Sequence, residues 1–227
     1  DLFAKSEDGK KMLYDMERQE ARTVQVGTNA CSYLPAFFRE VCKEQQQFAV
    51  RQRTNSLEAL LEGVKEGAYD LVFAVSPTLL REEEGRKTLL LRRDEMKLIF
   101  PENQADLFGE SIAFEQLSDM PIITAPEGFG VTDCLLHQFR IRAKKPNISI
   151  ETTDIAIIPK YVENGLGLSA FPAYVLDRLF QSGVGRAELE GEGFWAYFYL
   201  VWNPDRYVSR AAVQAIEAAQ HYFTRKA

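Results

Sequence analysis

Between Val24 and Val75 the apolar positions switch between two periods. VQVGT is a short β-rich run that breaks at Gly27, Thr28 and Asn29, and Leu34, Phe37, Phe38 and Val41 then recur with helical spacing. FAVRQRT is extended, Leu57, Leu60, Leu61 and Val64 mark a second amphipathic helix, and LVFAV is a fully apolar run. Apolar residues at i, i+3, i+4 and i+7 between β-rich runs predict a βαβαβ order, hence an α/β fold with a mostly parallel sheet and helices packed on it. Open parallel sheets carry their binding loops at the carboxyl ends of the strands. Thr28, Asn29, Cys31, Ser32 and Ser76 collect there.

After Val75 the pattern changes. A polar stretch, SPTLLREEEGRK, leads into the charge-interrupted run LLLRRDEMKLIF and then into Pro101–Ser111, whose proline, asparagine and acidic residues mark a boundary. A second α/β unit follows: PIITA as a strand, PEGFG as a turn, Val131–Arg140 as a helix with Leu135, Leu136 and Phe139 on one side, and NISIET as the next strand. Asp154 is placed to cap a helix holding Ile155, Ile158 and Val162, which stops at NGLG. The aromatic strand FWAYFYLVW and a final helix with an apolar stripe at Val208, Ala211, Ala212, Ala215, Ile216, Ala219 and Phe223 cannot form a core alone. They are expected to return to the first lobe. The resulting division is residues 1–22 as a linker-helix remnant, 23–101 with 197–227 as a discontinuous lobe I, and 102–196 as lobe II. Two chain crossings then define a hinge and a cleft for a small molecule.

Composition narrows the class. The 227 residues are 46% hydrophobic, enough for a sizeable core, and the net charge of −6 disfavours nonspecific attraction to nucleic acid phosphate. No apolar run approaches the roughly 18 residues that cross a bilayer, and DLFAKSEDGKK lacks the apolar core of a secretion signal. A cytoplasmic location is the expectation, although a processed exported chain shares these features. Cys31, Cys42 and Cys134 fit no CxxC or metal-ligand spacing and read as reduced thiols. Cys42 and Cys134 read as small buried hydrophobes, whereas Cys31 lies in the loop after the first strand, where ligand contact is the modest hypothesis.

In combination these runs resemble the effector-binding domain of the LysR-type transcriptional regulators. VQVGTNACSYLPAFFREV, RTNSLEALLEGVKEGAYDLVFAV, SIAFEQLSDMPIIT, VENGLGLSAFPAYV and FYLVWNPDRYVSRAAVQAIEAA match the order and spacing of that family from Thr23 to Phe223. The resemblance implies two Rossmann-like lobes joined by two crossover segments, the type-2 periplasmic-binding-protein fold, with a small-molecule effector between the lobes and assembly into homodimers or tetramers. Family members begin with a winged helix-turn-helix domain, and SEDGKKMLYDMERQEA reads as part of the helix that joins it. DNA is therefore expected to be contacted only through an N-terminal domain that residues 1–22 are too few to form. No cofactor and no membrane partner is implied.

The resemblance places Thr28, Asn29, Ala30 and Cys31 at the effector, where a helix N-terminus offers unpaired N–H donors to a carboxylate. Capping of that helix by Asn29 or Ser32 is expected alongside. Asn55 and Ser56 read as caps alone. Ser76 either lines the cleft or belongs to a turn with Pro77. In the second lobe Ala125, Glu127 and Phe129 occupy the turn after a strand, and Thr152, Thr153 and Asp154 the corresponding place after the next. Asp154 is first a cap. Glu127, with no helix to cap, is free to pair with an amine, which suggests a carboxylate or amino acid effector. His137 and His221 fall in helical patterns without metal-ligand neighbours, no GxSxG, P-loop or HExxH occurs, and Gly165 and Gly167 stand at a helix end, wrong for a dinucleotide. Catalytic and metal residues are thus expected to be none. Arg92, Arg93 and Lys97 read as the exposed face of an edge strand. The rival is an extracytoplasmic solute-binding protein of the same fold, which the three unpaired cysteines and the linker-like N-terminus disfavour.

Overall fold

A computed structural model describes residues 8–10, 12, 23–44, 49–179 and 183–224. The chain divides into two compact units, one of Asp1–Val75, Leu79–Arg92 and Phe198–Ala227, the other of Ser76–Thr78 and Arg93–Tyr197.

In the first unit β1 (Thr23–Thr28) is flanked by β2 (Ala49–Thr54) and β3 (Leu71–Ser76), and all three run parallel, with Thr28 level with Thr54 and Phe73. Helix α1 (Leu34–Glu44) buries Leu34, Phe37 and Val41, as the helical spacing requires. Helix α2 (Leu57–Glu66) starts where Ser56 Oγ accepts the Ala59 N–H and stops at Gly67, whose left-handed φ of 80° brings its N–H to the Gly63 and Val64 carbonyls. Leu60 and Val64 are fully buried. Gly27 permits this packing, because a Cβ there would lie 2.7 Å from Leu60 Cδ2 and 3.0 Å from Val72 Cγ2.

The C-terminal part of β10 (Trp195–Trp202) and helix α8 (Arg210–Thr224) belong to this unit. Phe198 stacks on Tyr33 at 4.3 Å between ring centroids and meets Phe223 edge-on at 5.2 Å. Phe37 lies 5.3 Å from Phe73 and 5.9 Å from Phe223. Ala211, Ala212, Ala215 and Ala219 are buried, so the small-residue stripe lets α8 approach closely.

The second unit is built differently. The 15-residue strand β4 (Lys87–Pro101), which starts in the first unit, runs antiparallel to β8 (Ser169–Pro172) and β9 (Val184–Glu190), and β9 is parallel to β5 (Ser111–Ala113). Strands β6 (Pro121–Thr124) and β7 (Asn147–Glu151) form a separate parallel pair. Short helices α3 (Ala105–Phe108) and α4 (Phe114–Leu117) precede α5 (Gly130–Ile141), which buries Val131, Cys134, Leu135, Leu136 and Phe139, with Phe139 edge-on to Phe114 at 4.9 Å. Helices α6 (Ile158–Glu163) and α7 (Ala173–Leu179) complete it.

The main sheet is mixed, in the order β2-β1-β3-β10-β4-β9-β5 with β8 beside β4. The parallel order expected for the βαβαβ stretch holds for β1, β2 and β3, and β5 with β9 is parallel too, whereas β4 runs antiparallel to β8 and β9. Strand β9 escapes the hydrophobic pattern because VGRAELE turns only Ala187 and Leu189 into buried positions. Lys97 does not lie at an edge, since β4 pairs there with both β8 and β9, whereas Arg93 is exposed as expected. Arg93 stacks over the Trp195 ring at 4.2 Å, and Lys97 bonds Glu95 at 2.6 Å and also Glu188. Partial burial works against the Lys97 ammonium, but those two carboxylates overcome it and its pKa is raised. The polar segment after β4 folds into a 3-10 turn, Glu102–Gln104, followed by α3. Among the described residues no helix is long and apolar enough to cross a membrane.

Candidate functional site

In the first unit β1 and β2 end level while β3 runs on to Ser76, and the loop after β1 is fixed by bonds of its own. Thr28 Oγ1 accepts the Ala30 N–H at 2.9 Å, the Thr28 carbonyl accepts the Asn55 N–H at 3.2 Å, and the Ala30 carbonyl accepts the Tyr33 N–H at 3.1 Å, opening the 3-10 turn Cys31–Tyr33. Asn29 spans to β3: its Oδ1 accepts the Val75 N–H at 2.8 Å and its Nδ2 donates to the Val75 carbonyl at 3.0 Å. Thr28, Asn29 and Ala30 are 0, 3 and 3% exposed. A carboxamide that serves as a strand partner across 46 residues is not capping α1, so the expected cap at Asn29 gives way to a longer-range role. Buried Ser76 forms a turn with its neighbours, donating to the Thr78 carbonyl at 2.7 Å and accepting the Thr78 N–H at 3.2 Å. The Cys31 side chain lies outside the described residues, as does that of Cys42. Ser56 caps α2, and Asn55 Oδ1 accepts the Ser56 N–H.

In the second unit the carboxyl ends of β6 and β7 are joined where the Thr124 carbonyl accepts the Thr152 N–H at 3.0 Å. Thr132, on the first turn of α5, accepts the Ala125 N–H at 3.1 Å and bonds Thr124 Oγ1 at the same distance, which ties the turn to the helix. Asp133 accepts the Gly128 N–H at 2.9 Å. Phe129 is half-buried and its carbonyl accepts the Asp133 N–H, so it directly precedes α5. Glu127 has a partner: Arg140 donates to it at 3.2 Å on an exposed surface, with side-chain exposures of 56% and 74% for Arg140 and Glu127. Thr152 Oγ1 accepts the Asp154 N–H at 3.2 Å, and Asp154 Oδ1 accepts the Ala156 N–H at 3.0 Å. Asp154 thus caps the 3-10 turn Ile155–Ile157, one step before α6, while Thr153 is exposed beside it.

Charge in this turn is graded by burial. Desolvation raises the Asp133 pKa above the ordinary carboxylate value, with the Gly128 N–H and Arg140 opposing the rise and Glu127 adding to it. One turn on, burial and then Arg140 lower the His137 pKa. Burial drives the Cys134 thiol far up, so it is a protonated core group rather than a nucleophile. Among the described residues, no three His, Cys, Asp or Glu side chains come together as a metal site. What sequence reasoning missed is Thr132, Asp133 and Val75, which hold the loops from elsewhere in the chain. Only the T-x-x-x-x-x-x-x-T spacing from Thr124 to Thr132, a strand end and a helix start, offered a signal.

Residues 17–224 match the model of the LysR substrate binding domain family. A probable nitrogen assimilation transcriptional activator of Synechococcus elongatus is 23% identical over 144 residues, 63% of this chain and 47% of the activator, so the chain spans about half the length of that relative. The regulatory domain of CcmR from Synechocystis PCC6803 in complex with 2-PG superposes with a TM-score of 0.74 at 13% identity, covering 88% of this chain and 97% of that one. The effector binding domain of QuiR in complex with shikimate gives a TM-score of 0.70 at 15% identity, with 89% and 97% covered. The two structures share the fold, the type-2 periplasmic-binding-protein kind. With a family model matched along nearly its whole length, the chain belongs to the LysR substrate-binding-domain family.

Proposed function

We propose that the chain is the effector-sensing part of a LysR-type transcriptional regulator, that it binds a small metabolite carrying a carboxylate, and that binding alters DNA recognition by a separate DNA-binding domain of the full-length protein. The observation that carries the reading is the loop after β1. Thr28, Asn29 and Ala30 are buried and pinned at the carboxyl end of the central strand of β2-β1-β3, ahead of the amino end of α1. A loop held in place before the ligand arrives costs little to order on binding, and the start of a helix suits an anion. The contacts we assign are Thr28, Asn29, Ala30, Cys31 and Ser76 in the first unit, and Ala125, Glu127, Phe129, Thr152, Thr153 and Asp154 in the second.

The pairing of Glu127 with Arg140 weakens the case for an amine on the effector and leaves the carboxylate as its defining group. The family is one of regulators rather than enzymes, and we read this chain as a sensor without turnover, working in the cytoplasm as a homodimer or larger assembly. A ligand bound equally by two conformations shifts nothing, so the effector must favour one. Calorimetric titration with shikimate, benzoate, 2-PG and the common amino acids tests the reading: saturable heat from at least one carboxylate supports it. Heat from uncharged analogues alone, or chemical conversion of a bound compound, overturns it.

A further inference from the structure

The loop between β10 and α8 reaches back to the far end of α2. The last carbonyls of a helix lack intrahelical partners, and here two side chains of that loop supply them: Asn203 Nδ2 donates to the Lys65 carbonyl at 3.3 Å, and Arg206 Nη1 to the Glu66 carbonyl at 2.7 Å. A cation at this position also suits the negative end of the helix. Gly67 lets the guanidinium lie flat against the helix stop, since a Cβ there would meet Arg206 Cζ at 2.6 Å and Nε at 2.8 Å. Nothing about capping α2 requires the rest of the guanidinium. Its other two donors, Nε and Nη2, converge on Asp8 Oδ1 at 3.2 and 2.9 Å.

Asp8, Gly9, Lys10 and Met12 are helical, in the segment that precedes the first strand. The two side chains are only 18% and 22% exposed. Freely solvated pairs contribute little because both side chains must be ordered against water. Here the arginine is already ordered by the α2 carbonyl and by Gly67, so holding Asp8 costs less additional freedom.

We propose that Arg206 is the coupling residue that fastens the N-terminal segment to the first unit, and that it does so through the end of α2. The dependence is one-sided: loss of Asp8 removes the guanidinium's hold on the segment and leaves the Lys65 and Glu66 carbonyls bonded, whereas loss of Arg206 removes that hold and also takes the side-chain donor from the Glu66 carbonyl, the Lys65 carbonyl keeping Asn203.

Limited trypsin digestion of the 227-residue chain, followed by mass spectrometry, reads the two ends separately, because Lys10 lies in the segment and Lys65 in the last turn of α2. Cleavage at Lys10 is expected to rise about tenfold in both Asp8→Asn and Arg206→Gln, and cleavage at Lys65 only in Arg206→Gln. The charge-reversed pair Asp8→Arg with Arg206→Asp restores slow cleavage at Lys10 but not at Lys65. Unchanged cleavage at Lys10 in Asp8→Asn overturns the proposal, as does equal loosening of Lys65 by both single variants. If Arg206→Gln fails to fold, Asp8→Asn decides alone by the Lys10 result.

Discussion

Asn29 shows how much one buried side chain can organise. Its carboxamide satisfies both main-chain groups of Val75 in a place where water does not reach. Asn29→Ala strands a buried donor and a buried acceptor, and an expected loss of about 3 kcal/mol follows, measured by urea denaturation with the slope unchanged. A loss below about 1 kcal/mol would show that water replaces the amide. Asp133 makes a prediction of opposite sign. Its pKa is raised in the fold, so between the unfolded value of 3.8 and the folded value the native state holds the extra proton, and stability falls as pH rises through that window. Asp133→Asn keeps an oxygen for the Gly128 N–H and removes the charge. Relative to the parent, this variant should gain in melting temperature as pH rises from about 4 to 7; a difference constant across that range contradicts the assignment. Neither role was legible in the sequence. Val75 is 46 residues from Asn29, and burial of a helix-start aspartate depends on the turn that folds over it.

At the scale of elements, local pattern tells more. Phe37 and Val41, Leu60 and Val64, and the alanines of α8 all face inward with the period their spacing announces. Ser56 and Asp154 accept the capping bonds that their place before an apolar run predicts. What the period cannot give is the partner of each strand. LLLRRDEMKLIF reads as an edge because its charges look solvated, and Arg93, stacked over Trp195, is exposed, yet Lys97 bonds two glutamates where β4 is flanked by β8 and β9. Gly27 is likewise silent in the sequence and decisive in the packing of α2 on β1. Gly27→Ala drives a methyl to 2.7 Å from Leu60 Cδ2. A destabilisation of about 1–3 kcal/mol is expected, partly relieved in the double variant with Leu60→Ala. Thermal melts that show strictly additive losses would remove the steric explanation.

For the whole molecule, the central claim is the proposal that a small carboxylate is sensed by the two sets of strand-end loops, built beforehand. Thr28 and Ala125 were visible as candidates because they follow apolar strands, and the bond from the Asn55 N–H to the Thr28 carbonyl was not, because it joins segments that only folding brings together. Backbone hydrogen exchange with and without a saturating carboxylate identified by calorimetry tests the claim most directly. The account predicts slowed exchange concentrated at residues 28–33 and 125–133. Saturable binding whose protection falls on other segments and leaves both loops unchanged would contradict it.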